Sequence, residues 1–183
     1  MVVTDPLADP AELAVWLGVP ETDQKLITAL NAASRRFRGA VRHPVSFVAG
    51  DSLTLDGTGT ESLLLPAAPV VAVDSVSLDG EALTLDTDYS WSSDGFLRRL
   101  AGYWPDRLRC IEVVYSHGWN PVPDDIQEVV IDQAQAIYAV QPGVQQKTVG
   151  SQSVTFGVQA AAGVTSQWAA MVDKYRLNAG DRA

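Results

Sequence analysis

Cysteine and histidine, the side chains most used in disulfides and zinc sites, are almost missing from this sequence. The 183 residues include one cysteine, Cys110, and two histidines, His43 and His117. A single cysteine cannot close an intramolecular disulfide, so the sequence does not favour an oxidising compartment. Cys110 lies in a predicted strand, and we expect it to be a small buried residue. Neither histidine has a Cys or His partner at zinc-ligand spacing, so we predict no zinc site.

Long hydrophobic runs are also missing. No stretch approaches the ~18 apolar residues that a membrane-spanning helix requires. Residues 1–20 contain three acidic residues and no lysine or arginine, which is the wrong charge for the start of a signal peptide. The composition, 46% hydrophobic and 19% charged, is that of an ordinary globular protein. We therefore expect a soluble protein that is made in the cytoplasm.

Positive charge is scarce, and the net charge at pH 7 is −9. Four basic and eleven acidic residues give residues 43–121 a net charge of −7, whereas residues 1–42 are neutral. Binding to nucleic-acid phosphates needs Lys and Arg, so we expect no specific DNA binding. One basic cluster lies at the end of a predicted helix, where cations complement the helix dipole; a DNA contact is the alternative interpretation. The cluster consists of Arg35, Arg36, Arg38 and Arg42.

Sequence motifs for catalysis are absent as well. There is no Gly-x-Ser-x-Gly elbow, no phosphate-binding glycine-rich loop with a lysine, and no dinucleotide fingerprint. Residues 56–61 contain oxygen ligands without the spacing of a calcium loop. Asp86 and Asp88 occur where we predict a turn. We therefore assign no catalytic, metal or cofactor-binding residues and predict that the protein is not an enzyme.

The strongest positive signal is residues 109–141, where a strand leads through a turn into a helix. Pro123 fixes the backbone at the turn, and Asp124 and Asp125 place negative charge where a helix N-terminus favours it. Apolar residues then recur at helical spacing, which predicts a helix that packs against other helices. The apolar positions are Ile126, Val129, Val130, Ala134, Ile137 and Tyr138, opposed by Gln127, Asp132, Gln133 and Gln135.

Two more helices are predicted before residue 42. Asp9 and Pro10 start the first, and Gly18 ends it. Either Thr22 or Asp23 caps the second, which is expected to close near Gly39. Between residues 43 and 116 the pattern changes to strands with hairpin turns at three Asp-Gly pairs. The pairs are Asp56-Gly57, Asp79-Gly80 and Asp94-Gly95; the β-rich runs are 45–49, 52–56, 62–65, 70–78, 81–85, 89–92, 96–100 and 109–115.

Residues 143–163 are rich in glycine and small or polar residues, and we predict an arm with strand-like alternation at 152–158. A last helix starts at Thr165 or Ser166 and ends at 178–180. A helix this short is only marginally stable in isolation, and its apolar face therefore needs a packing partner. The partner is either the chain's own helices or another protein. The face carries Trp168, Met171, Val172 and Tyr175.

The predicted fold class is α+β, a small helical bundle with an inserted antiparallel β module and a C-terminal arm with a short helix. We divide the chain into residues 1–42, the N-terminal helix pair; 43–116, the β module; 117–142, the core helix that packs with 1–42 as one domain; and 143–183, the arm and last helix.

Three stretches follow one another along the chain. They are Leu53–Gly59 with Leu63–Pro66 and Pro69–Val73; Asp88-Tyr89 with Asp94–Leu100 and Trp104-Pro105; and Val113–Trp119 with Pro123 and Ile126. Together they resemble the head-to-tail connector (adaptor) proteins of long-tailed double-stranded DNA bacteriophages. They lie between the N-terminal helix pair and a last helix ending in Lys174-Tyr175-Arg176, so the resemblance covers nearly the whole chain.

The resemblance implies a structural protein of the phage neck, with neither catalysis nor cofactor. Wedge-shaped subunits would form a ring, usually of twelve, between the portal and a tail-side stopper or tail terminator protein. The ring would lie at the head-tail junction of the virion and be assembled in the host cytoplasm. Genomic DNA would pass through its lumen without specific binding. An acidic lumen would avoid adhesion to DNA; alternatively, the acidic residues only keep the β module soluble.

In such a connector the last helix would contact a neighbouring subunit or the portal, since aromatic anchors dominate many interfaces. The predicted partner-binding residues are Trp168, Met171, Val172, Lys174, Tyr175 and Arg176. Two other classes stay open. One is another neck or tail-completion protein of the stopper type, and the other is a cellular binding module or a hydrolase with an unrecognised site.

Overall fold

A computed structural model describes residues 5–139, 146–149, 152–155 and 165–177. The described residues form four helices and nine strands, which confirms the predicted α+β fold class. The helices are α1 (Pro10–Leu17), α2 (Gln24–Val41), α3 (Asp124–Ala139) and α4 (Ser166–Tyr175). The strands are β1 (Val48–Leu55), β2 (Ser62–Leu64), β3 (Val70–Leu78), β4 (Glu81–Ala82), β5 (Tyr89–Trp91), β6 (Phe96–Arg99), β7 (Ile111–His117), β8 (Gln146–Val149) and β9 (Gln152–Thr155).

The chain divides into two compact units. One contains the helices and combines Thr4–Val41 with Val122–Tyr175; the other contains Arg42–Pro121 and is β-rich. In the helical unit α2 packs against α3, and α1 and α4 each pack against both. Among the described helices, none combines the length and apolar character needed to cross a membrane.

The helix starts follow the predicted capping chemistry. The Asp9 side chain accepts a hydrogen bond from the backbone N–H of Ala11 at 2.9 Å, and Gly18 ends α1 in the left-handed conformation. Asp23, and not Thr22, caps α2, because its carboxylate accepts from the N–H of Leu26 at 2.8 Å. These contacts confirm the predicted bounds of α1 and the start of α2.

Helix α2 ends two residues beyond Gly39, near which we predicted its end. The helix continues to Val41, whose side chain is completely buried, and the positive φ falls on Arg42. Burial of Val41 among the helices extends α2 past the glycine because tertiary packing outweighs the local preference of glycine for a helix end.

The start and the apolar stripe of α3 are confirmed, with one exception on the polar face. Ile126 and Val130 have no exposed surface. Gln133, which we placed on the polar side, is 7% exposed. It follows Ile126 by seven residues, two helical turns, and therefore lies on the same side of α3. Residues 140–141, where we predicted the helix to end, lie outside the described residues.

A four-stranded and a three-stranded antiparallel sheet form the β-rich unit. The strand order is β1-β7-β3-β4 in the first and β2-β6-β5 in the second. Along β7 buried residues alternate, as expected for a strand with one side in the core. They are Ile111, Val113, Tyr115 and His117. His117 is thus the last inward residue of a strand, because β7 ends two residues later than the predicted run 109–115.

Two of the three predicted hairpin turns are confirmed. Asp79-Gly80 joins β3 to β4 with both residues at positive φ, and Asp94-Gly95 lies between the paired strands β5 and β6. Asp56-Gly57 is not a hairpin turn, because β1 pairs with β7 and β2 pairs with β6. Likewise, the predicted runs 45–49 and 52–56 are not two separate strands. Strand β1 continues through Gly50, and its pairing with β7 shifts register between Val48 and Asp51.

Gly118, directly after β7, lets two backbone segments approach closely. A Cβ atom at this position would lie 2.3 Å from the carbonyl oxygen of Ser46, and the residue has a φ of 92°. Gly118→Ala should therefore lower the free energy of unfolding by about 2 kcal/mol or more. Urea denaturation measures the effect.

The matched control is Gly39→Ala in α2. A Cβ there meets nothing within 4 Å, and alanine is a better helix former by about 0.8–1 kcal/mol. We expect this variant to be as stable as the wild type or more stable. Equal stability of the Gly118→Ala protein and the wild type would contradict the close approach at Ser46.

Candidate functional site

The predicted partner-binding surface lies on α4, whose start is confirmed. The Thr165 hydroxyl accepts a hydrogen bond from the N–H of Trp168 at 3.1 Å, which caps the helix. Trp168 and Val172 are four residues apart and share one side of α4. Both are buried, at 5% and 8% exposure.

The side chain of Trp168 packs inside the helical unit. Its ring meets that of Phe37 on α2 edge to face, with centroids 5.3 Å apart and an interplanar angle of 88°. This is a favourable aromatic geometry, because the positive edge of one ring faces the negative face of the other. Phe37 itself has no exposed surface. The chain's own helices therefore cover the apolar side of α4.

The last turn of α4 is held by a polar cluster at the start of α3. The Lys174 ammonium lies 2.6 Å from Asp125 Oδ2. The Tyr175 hydroxyl donates to Asp125 Oδ1 at 2.8 Å and is 3.0 Å from Oδ2. One carboxylate thus receives donors from two consecutive residues of α4. Asp125 also accepts from the N–H of Ile126 at 2.9 Å, so it stabilises the helix start that we predicted for it.

This cluster shifts the pKa values of its members. Partial burial acts to raise the pKa of the Asp125 carboxyl, but the hydrogen bonds from Lys174 and Tyr175 outweigh it and hold the pKa below the ordinary value. The hydrogen bond to Asp125 raises the pKa of Lys174. Burial, followed by the same carboxylate, raises the pKa of the Tyr175 hydroxyl. The ionised forms of Asp125 and Lys174 stabilise each other.

The six predicted residues therefore divide into two groups. Trp168 and Val172 are inside the helical unit. Met171 and Tyr175 are half-buried, and Lys174 and Arg176 are exposed. Sequence reasoning identified the apolar side of α4 but not what covers it. It also missed Asp125 as the acceptor for Lys174 and Tyr175, which follow it by 49 and 50 residues.

The acidic residues considered as metal ligands serve local structure. Asp56 accepts from the N–H of Arg109 at 2.7 Å, and Asp88 accepts from the N–H of Thr84 at 2.9 Å. Within residues 5–139 and the shorter described segments, no group of three or more His, Cys, Asp or Glu side chains could hold a metal ion. Cys110 is 4% exposed with a free thiol, which confirms our expectation of a small buried residue.

His117 is a buried polar residue that the sequence did not reveal. Its Nε2 atom lies 3.2 Å from Asp51 Oδ2 on the neighbouring strand β1. Its ring stacks at a tilt on Tyr115, with centroids 4.7 Å apart. The pair connects β1 to β7 within the sheet. The pair is therefore a structural contact within the sheet.

The sequence of residues 13–177 matches the family model described as head completion protein. The chain belongs to the head completion protein family. The match confirms the resemblance to phage head-to-tail connectors. No protein with curated annotation matches the sequence.

Solved structures share the fold of this head completion protein. A chain from the "Neck of native GTA particle computed with C12 symmetry" has a TM-score of 0.58 and 19% identity. The match covers 96% of our chain and 92% of the neck chain. A chain from the "Neck of empty GTA particle computed with C6 symmetry" has a TM-score of 0.60 and 19% identity, with 96% and 93% covered. A chain from the virion of a native gene transfer agent (GTA) particle has a TM-score of 0.56 at the same identity, with 96% and 92% covered.

Replacement of Trp168 tests whether α4 belongs to the folded core. Trp168→Ala should lower the free energy of unfolding by about 3–5 kcal/mol, because it opens a cavity against Phe37. Trp16→Ala is a matched control, since that indole is 75% exposed and its loss should change stability by less than about 0.5 kcal/mol. Thermal and urea unfolding compare the two. Equal losses, or none in either variant, would contradict the packing of α4.

The Asp125 cluster predicts a dependence of stability on pH. Because the pKa of Asp125 is depressed below 3.8, its carboxylate stabilises the fold above about pH 4, and the effect is lost as the pH falls through the folded value. Because the pKa of Lys174 is raised above 10.5, the ammonium contributes at all lower pH values and is lost above its folded pKa. Asp125→Asn should therefore be less stable than the wild type at pH 7.

Urea denaturation of both proteins at pH 3 and pH 7 measures this difference. We expect the gap between wild type and Asp125→Asn to shrink toward zero at pH 3. Glu12→Gln, at an exposed acid on α1, should show no comparable change. A gap that persists unchanged at pH 3 would mean that the charge of Asp125 is not what holds α4.

Proposed function

We propose that this head completion protein is the head-to-tail connector of a phage neck, with subunits forming a ring between the portal and the tail-side protein. The observation that carries the proposal is the agreement of two matches over nearly the whole chain. The family model spans residues 13–177, and the fold of a GTA neck chain covers 96% of this chain. Both units of the molecule are therefore included, and neither is left over for a separate activity.

Ring formation is supported by the symmetry of the related particles. Their neck structures were determined with C12 and C6 symmetry, and a subunit at such an axis must meet identical neighbours through two different surfaces. We propose twelve copies for this protein. The portal is the head-side partner, and a stopper or tail terminator protein is the tail-side partner.

The role is structural, without catalysis. The polar contacts of Asp125 and His117 stabilise a helix end and a strand pair, respectively. A neck protein acts by holding its neighbours, so it needs rigid surfaces rather than a reactive group. The place of action is the head-tail junction of the virion, after assembly in the host cytoplasm.

Genomic DNA passes through the ring without specific binding. The net charge of −7 on residues 43–121 repels phosphates and opposes adhesion. The basic cluster at the end of α2 is partly committed to the fold, because the Arg38 guanidinium donates to the carbonyl oxygen of Asp5 at 2.7 Å. This contact favours the structural interpretation of the cluster over a DNA contact.

Partner binding by α4 stays a prediction for Met171, Lys174, Tyr175 and Arg176, which keep exposed surface. Trp168 and Val172 would have to leave the helical unit to meet a portal.

A stopper-type position one layer further from the head is the second candidate, since the words "head completion" fit both layers. Direct binding to the portal separates the two positions.

The experiment uses the purified full chain, alone and mixed with the portal of the same phage. Native mass spectrometry and negative-stain microscopy should show a closed ring, and the ring should co-sediment with the portal. The portal of an unrelated phage is the control and should not bind. A chain that stays monomeric with its own portal would refute the connector role, and a ring that ignores the portal but binds the tail-side protein would favour the stopper.

A further inference from the structure

An exposed apolar stripe runs along α1. Val15 is 83% exposed and Trp16 is 75% exposed, although a tryptophan at a monomer surface is usually covered. Glu12 precedes them by three and four residues, so the three side chains share one side of the helix. The surroundings are acidic: residues 5–23 contain five acidic residues and no lysine or arginine. We call Glu12, Val15 and Trp16 the acidic helix face.

A second exposed apolar surface lies in the β-rich unit, on residues 98–109. Tyr103 is 66% exposed, Leu108 is 76% exposed and Leu100 is 48% exposed. This segment contains four arginines and one aspartate, a net charge of +3 within a module whose total is −7. We call residues 98–109 the basic loop. Two of its arginines are in exposed ion pairs, Arg98 with Glu61 and Arg107 with Asp79, which offset part of the charge.

The basic loop is held firmly in spite of its exposed residues. Trp104 is fully buried, and its indole N–H donates to the carbonyl oxygen of Leu97 at 3.2 Å. The N–H of Gly57 donates to the carbonyl oxygen of Arg107 at 2.8 Å. A Cβ on Gly57 would lie 1.9 Å from the carbonyl oxygen of Pro105, so only glycine allows the loop to settle there. A loop fixed in this way loses little entropy when a partner binds.

The two surfaces are complementary in both properties that decide association. Each has a large aromatic side chain beside an aliphatic one, the residue types that anchor protein interfaces. The formal charges of the two segments are opposite, −5 for residues 5–23 and +3 for the basic loop before its ion pairs with Glu61 and Asp79 are counted. Two copies of the acidic helix face would bring like charges together, which disfavours a symmetric pairing of that face with itself.

We propose that the acidic helix face of one copy docks on the basic loop of the next copy of this chain. Such a contact joins two different surfaces, which is the type of contact that neighbouring copies in a ring share. This proposal rests on the proposed ring and names the surfaces that build it. Trp16 and Leu108 are the apolar anchors, and the arginines of the basic loop orient the acidic helix.

Three variants of the full chain test the pairing. Trp16→Arg places a cation opposite the basic loop, and Leu108→Glu places an anion opposite the acidic helix face. Both sites are more than 70% exposed, so circular dichroism and thermal melts should match the wild type. The control is Val71→Glu, an apolar-to-acid change at a position on β3 that is 54% exposed and belongs to neither surface.

Native mass spectrometry should show that Trp16→Arg and Leu108→Glu each raise the protein concentration needed for assembly by roughly tenfold or more. Val71→Glu should assemble like the wild type. A 1:1 mixture of the two defective variants is decisive. The intact helix face of Leu108→Glu fits the intact loop of Trp16→Arg, so the mixture should form at least dimers at concentrations where each variant alone stays monomeric.

The outcomes separate the two proposals. Rings formed by either variant at wild-type concentrations, or a mixture that stays monomeric although the wild type assembles, would overturn this pairing and leave the connector role standing. A wild-type chain that never assembles, even with its portal, would overturn both together.

Discussion

The helical unit depends on the packing of the Phe37 side chain, which is completely buried. This residue lies near the end of α2, which packs against the other three helices, and its ring meets that of Trp168 edge to face with centroids 5.3 Å apart. A ten-residue helix such as α4 is marginal in water, so its stability comes from tertiary packing. The same helix is fixed at its other end by Asp125, which also starts α3. Two contacts at opposite ends of α4 therefore join the C-terminal helix to α2 and to α3.

In the β-rich unit the corresponding role falls to β7, which pairs with β1 on one side and with β3 on the other. Its inward side chains fill the core of the unit, and Trp104 extends that core beneath the basic loop. Close backbone approach at Gly57 and Gly118 fixes the segments beside it. The loops of this unit are therefore rigid. The apolar residues exposed on them could contact a neighbouring protein without an ordering step on binding.

Local chemistry was predictable from the sequence, and contacts between distant residues were not. Caps such as Asp9 and Asp23 act within three residues, so their spacing alone locates a helix start. The Asp56-Gly57 pair carries the same local signal as a hairpin turn, yet its glycine is required by Pro105, far along the chain. Likewise, helical spacing shows that one side of α4 is apolar but not that Phe37 covers it. The exposure of Trp16 could not be read from sequence, because an amphipathic pattern does not distinguish a core from an interface.

Assembly of identical acidic subunits poses an electrostatic problem that the local charge pattern addresses. Copies with a net charge of −9 repel one another at long range, within the limits of salt screening. Attraction must therefore come from short-range contacts and from local regions of opposite sign. Apolar anchors supply attraction that salt does not screen, whereas the arginines of residues 98–109 supply orientation because a misplaced copy would meet like charge. In the proposed ring, long-range repulsion combined with one attractive pairing would disfavour disordered aggregates and favour the contact in which acidic and basic surfaces meet.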